Sequence, residues 1–285
     1  MLDINDFNHF LENEEDENFQ QIVQNLKSFL LSDEAFEYDA LIPKFTALSD
    51  YLDPYDTRLM DKRLEPIVPI MELICAKLNE KEDANYASLL DSLTYLYYAS
   101  SKYAKALETQ EKSMLIREAL YGENSPITAK SYDLLGAIYL AQKAYEKAEL
   151  FYLKALSIRE EVLGEEHPDT ATSYNSVAGL HESMGAFQKA QALYEKVLEI
   201  KRRTLGEEHP HTATSYNNLG LLYKKLKKCK EAKAMLEKLL NMVDKSSYQH
   251  LSTLNLTRSI KEIEKSMKQE KKVKFKQRGR YCESI

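Results

Sequence analysis

The chain has 285 residues, 44% of them apolar and 29% charged. That balance suits a chain that buries a real core, and it excludes collagen-like and wholly disordered classes. Eight Gly and seven Pro are too few for a β-sandwich with its many tight turns, so helices are expected. The net charge of -6 hides a gradient, because residues 1–60 carry fourteen Asp/Glu against three Lys/Arg and residues 224–285 carry seven against eighteen. Blocks of this kind steer charged ligands rather than shape a fold.

No stretch approaches the roughly 20 uncharged apolar residues of a membrane-spanning helix, and the acidic start MLDINDFNHFLENEEDE does not read as a secretory signal. A cytoplasmic location is expected. Cys75, Cys229 and Cys282 are odd in number and too far apart for a zinc spacing, so neither a disulfide nor a metal is expected.

In chain order, residues 1–40 predict an acidic helical cap, with LENEEDENFQQIVQNLKSFLL as one helix. Residues 41–82 predict a degenerate helix pair whose second helix, RLEPIVPIMELICAKLNE, is distorted by two prolines. Residues 83–244 repeat. Gly122, Gly164 and Gly206 are 42 apart, as are Pro126, Pro168 and Pro210, and Tyr132, Tyr174 and Tyr216. Tyr103, Ala106 and Ile116 match Tyr145, Ala148 and Ile158 at the same interval, which adds a diverged first copy and makes four.

Each copy reads as two helices. Ser125, His167 and His209 precede a proline and take the cap position, since proline suits the first helical turn. Tyr132, Leu135 and Tyr139 then lie on one face of the first helix. The second helix buries Tyr145, Ala148, Tyr152, Ala155, Leu156 and Leu163 and ends at Gly164. Gly136, Ala178 and Gly220 on the first helix, and Ala106, Ala148, Ala190 and Ala232 on the second, remove bulk where the two backbones cross. Residues 245–270 predict a capping helix with Leu251, Leu254, Ile260, Ile263 and Met267 inward. Residues 271–285, KKVKFKQRGRYCESI, have no helical period and predict a disordered basic tail.

Tyr132-x2-Leu135-Gly136-x2-Tyr139 and Tyr216-x2-Leu219-Gly220-x2-Tyr223, each followed by an alanine nine residues after the last tyrosine, resemble the tetratricopeptide signature with Tyr in place of Trp. The 42-residue period resembles that of kinesin light chains and related adaptors. HEAT repeats run near this length too, but the small-residue pairs and the Tyr-x6-Tyr frame favour the tetratricopeptide (TPR) reading. The resemblance implies an all-α, right-handed superhelical solenoid of antiparallel helix pairs, with helical caps at its ends. No heptad region of the kind that joins kinesin light chains to a motor chain is present in this sequence.

Glycine-rich phosphate loops, HExxH, DxDxDG and GxSxG are all missing, and no nucleophile stands beside a base, so no catalytic role, cofactor or small-molecule substrate is expected. His209-Pro-His211 is better explained by helix capping than by metal binding. The acidic pairs Glu165-Glu166 and Glu207-Glu208 recur in the linkers, which argues for a structural use.

In such solenoids the first helix of each pair lines a concave groove that binds peptides or proteins. Asp91, Asp133, Asn175 and Asn217 share one offset and are expected to form a polar ladder there. The resemblance implies that the asparagines hold a peptide backbone, since an amide both donates and accepts. Lys130, Tyr95, Tyr98, Glu182, Lys224 and Lys225 complete the candidate groove, acidic and aromatic in its first half and basic in its second. An adaptor or scaffold for peptide or protein partners is the function expected, with no specific nucleic acid. The alternative is a membrane-associated scaffold. Cys282 stands fourth from the last residue after a polybasic run, a candidate prenylation site that would place the tail on an anionic membrane.

Overall fold

The computed structural model describes residues 68–78, 83–245 and 256–268. Ten helices occur among them and no strand. The chain divides into two compact units, Met1–Phe151 and Tyr152–Ile285. The expected first cap, the first helix of the degenerate pair, the basic tail and Cys282 lie outside the described residues.

The first unit holds α1 (Val68–Lys77), α2 (Ala84–Ala99), α3 (Tyr103–Tyr121) and α4 (Pro126–Ala141). Pro69 falls in the first turn of α1, where a proline costs no hydrogen bond, and Pro66 lies outside the described residues. Consecutive helices pack on one another, and Met71, Ile74, Leu89, Leu96, Ala106, Ile116 and Ile138 form one core. Helix α5 (Tyr145–Leu163) contains the division between the units.

The second unit holds α6 (Pro168–Ser183), α7 (Phe187–Leu205), α8 (Pro210–Lys225), α9 (Cys229–Lys245) and α10 (residues 256–268). Helices α6 and α7 form one packed pair and α8 and α9 the next. Tyr194, Tyr216, Leu219, Leu236 and Leu239 lie in its core, and α10 adds Leu256, Ile260 and Ile263. Each such side chain contributes about 1.5–3 kcal/mol when fully buried.

Helix ends follow the repeated punctuation. Ser125, His167 and His209 are N-caps, with Pro at the first helical turn in each case. His167 Nδ1 accepts the Asp169 backbone N–H at 3.1 Å, and His209 Nδ1 accepts that of His211 at 3.2 Å. Gly122, Gly164 and Gly206 close the preceding helices in the left-handed region, φ 82, 85 and 96°, which only glycine reaches without steric cost. The hydroxyls of Thr128, Thr170 and Thr212 each donate to the carbonyl of that glycine at 2.8 Å, fixing the linker against the next helix.

The acidic linkers also have partners. Glu165 Oε2 lies 2.7 Å from Lys196 Nζ, and the same lysine sits 4.0 Å from the centre of the Tyr174 ring. One repeat later Glu207 Oε1 is 3.0 Å from Lys238 Nζ, which lies over Tyr216 at 5.3 Å. Tyr216 donates its hydroxyl to Glu207, and Arg202 Nε holds the other carboxylate oxygen at 2.6 Å. These clamps, led by the tyrosine bond, hold the Glu207 carboxyl down at about 2. The acidic pairs therefore serve structure, as their repetition implies.

Candidate protein-binding site

Residues at the ladder offset do not share one environment. Asp91 on α2 is only 3% exposed. Its Oδ1 accepts from Ser113 Oγ at 2.6 Å and Arg117 Nη1 at 2.8 Å, and its Oδ2 lies 2.7 Å from the same guanidinium. Arg117 also donates to Ser131 on α4. Asp91 is thus a packing residue, which corrects its assignment to an open groove: a buried arginine needs an acid beside it, and the carboxylate is spent there. Around it, Tyr95 and Tyr98 are half-buried against the same core. Tyr98 meets Tyr103 edge-on at 5.9 Å between ring centres, and burial raises its hydroxyl pKa. Lys130 is exposed on α4, and Asp133 is half-buried three positions on.

In the second unit Asn175 on α6 is 7% exposed, and its Oδ1 accepts from Asn218 Nδ2 on α8 at 3.0 Å. Asn175 therefore faces its neighbouring helix rather than a free ligand, the second departure from the expected ladder. Asn217 is half-buried and makes no hydrogen bond through its side chain among the described residues. Farther along, Glu182 accepts from Lys225 Nζ at 2.6 Å and from Tyr194 Oη at 3.0 Å, while Lys224 Nζ lies 2.7 Å from Glu262 Oε2 on α10.

The seam between α6 and α8 thus has a regular chemistry, a hydrogen bond from the Asn218 amide to the Asn175 amide and an ion pair at Glu182–Lys225, each joining residues 43 apart. Between these ties lies Gly179, where an added Cβ would meet only Tyr194 Oη, at 3.6 Å. Leu221 is 38% exposed on α8. Thr172 is exposed and Thr214 and Asn217 half-buried, so this face offers donors, acceptors and one apolar side chain. Such a set can pair with main-chain amides and seat a side chain.

Sequence reasoning missed Arg117 and Asn218. Arg117, Arg159 and Lys201 are 42 apart and all buried, and this periodic recurrence of basic residues was a readable signal. Asn218 had none, because only the helix packing shows that it bonds to Asn175. Among the described residues no helix is long and apolar enough to cross a membrane.

A family model described as tetratricopeptide repeat matches residues 85–161, 145–203 and 169–245, together more than half of the chain. No curated protein matches the sequence. Solved structures do. A kinesin-light-chain-like protein with nearly identical TPR-like repeats from Podosopora anserina is 21% identical, with 74% of this chain and 98% of that one covered and a TM-score of 0.55. BtubC (BKLC) from P. vanneervenii is 18% identical over 74% and 92%, with a TM-score of 0.51. RapI in its apo form is 19% identical over 74% and 72%, with a TM-score of 0.56. At these identities the likeness shows the fold.

Proposed function

This chain belongs to the tetratricopeptide repeat family, and from that premise we propose that it is a non-catalytic adaptor that holds an extended peptide segment of a protein partner against α6 and α8. The observation that carries this reading is Asn217. Its amide is accessible and has no side-chain hydrogen bond among the described residues, while its sister Asn175 is occupied by Asn218. An amide left open on a helix face that is otherwise tied up at Glu182–Lys225 is suited to a backbone N–H and C=O of a ligand. Leu221, exposed one turn on from Asn217, supports the same reading, since it offers a ligand side chain an apolar contact beside that amide.

Partners captured with the intact chain supply the peptide for the test. Asn217→Ala should weaken its binding by about 1–3 kcal/mol, because a ligand backbone group is left unpaired. The melting temperature should not move, since no internal bond is lost. Unchanged affinity by calorimetry would place the binding surface elsewhere.

A further inference from the structure

We infer that the exposed face of α10 is a second docking surface, one that takes an acidic, extended segment of a protein partner. This goes beyond the reading built on Asn217 and uses different residues. Leu256, Ile260 and Ile263 turn into the core of the second unit. Arg258, Lys261 and Lys265, three and four residues apart, are exposed together on the other side.

The acids of the same helix are engaged elsewhere. Glu262 is held by Lys224 of α8 at 2.7 Å and Glu264 by Lys233 of α9 at 2.5 Å. Arg258, Lys261 and Lys265 form no ion pair among the described residues. They line, with Thr257 and Glu262, an open depression of about 350 Å³. The helix therefore spends its negative charge on packing and leaves its positive charge facing a hollow.

Spacing and charge select the occupant. The helical rise sets Lys261 and Lys265 about 6 Å apart along the axis. Carboxylates at alternate positions of an extended chain are about 6.7 Å apart on one face. An acid-x-acid segment can thus meet both lysines at once, with Arg258 one turn beyond. A membrane surface fits less well, because the apolar side chains of α10 are buried in the core and none is left to insert. Glu262, 57% exposed on the same face, opposes a continuous polyanion but not a chain whose charges are spaced.

The test uses the full chain and a short fluorescein-labelled peptide alternating Glu and Ser, read by anisotropy. The intact protein should bind it, more weakly as salt rises. Combined Arg258→Glu, Lys261→Glu and Lys265→Glu should weaken binding on the order of tenfold or more, with the circular dichroism spectrum unchanged because all three side chains are exposed. A charge-matched control, Lys189→Glu, Lys227→Glu and Lys230→Glu, and the Asn217→Ala variant should both keep the affinity. The Asn217 result separates this surface from the α6–α8 face. Three results would overturn the inference: equal loss in the control, loss on replacing the basic residues of 271–280 by Gln while α10 is intact, or binding to phosphatidylserine vesicles without binding to the peptide.

Discussion

Two glycines on the first helices of successive pairs make opposite demands. Gly220 lies where α8 crosses α9, and a Cβ there would stand 2.8 Å from Leu236 Cδ2 and 3.0 Å from its Cγ. Leu236 is fully buried, so its side chain has no empty space to retreat into. Gly220→Ala should therefore destabilise the protein by about 1–2 kcal/mol, the overpacking cost exceeding the gain in helix propensity. Gly179 lies in α6 with its nearest outside atom 3.6 Å from an added Cβ, ordinary contact. Gly179→Ala should stabilise by about 0.5–1 kcal/mol, because alanine restricts the unfolded chain at no native cost. Urea midpoints of the two variants should move in opposite directions, and a shift of the same sign in both would contradict the crossing geometry. The sequence marked Gly220 as a crossing residue through its register with Ala178. Nothing in it marked Gly179, whose register neighbours Tyr95, Ala137 and Leu221 differ in size and share no rule.

Helices are where the sequence was most legible. Their ends were written by proline, glycine and cap residues repeated every 42 positions, each acting on its own turn of backbone, so α4 to α8 begin and end where local rules place them. The binding face was less legible because its character depends on what lies across the packing. Asp91 and Asn175 occupy the ladder offset, yet one is claimed by an arginine 26 residues on and the other by an asparagine 43 residues on. Arg117 joins three helices, bonding Asp91 on α2 and Ser131 on α4 from its place on α3. Arg117→Ala should cost about 3–5 kcal/mol, since it leaves a carboxylate buried without a counter-charge. Arg117→Met with Asp91→Leu removes both charges and should recover most of that loss. If chemical denaturation gave the double variant the full penalty of the single one, packing volume rather than charge pairing would govern this junction.

Charge clamps distributed through both units make the whole molecule sensitive to acid. Glu72 in the first unit is held below the ordinary carboxylate value by its bonds to Lys105 and Tyr97. In the second unit Lys196 does the same for Glu165, Lys224 for Glu262 and Lys233 for Glu264. Glu207 lies lowest, at about 2 against an ordinary value near 4.5, through Tyr216 first and then Arg202 and Lys238. A carboxyl whose folded pKa is depressed binds fewer protons when folded than when unfolded. Its stabilisation is therefore complete above about pH 4.5 and is lost as pH falls toward 2. Glu207 is 43% exposed, so water screens the clamp and its share is no more than about 1 kcal/mol. Repeat arrays sum nearest-neighbour terms, so the loss should appear first in the helices that the clamps join. Hydrogen exchange at about pH 6 and about pH 3 should show protection falling most at the start of α8 and along α9, where Glu207, Tyr216 and Lys238 meet. Glu207→Gln should flatten that difference, because a neutral amide no longer distinguishes the two conditions; an undiminished acid response in that variant would assign the sensitivity to other groups.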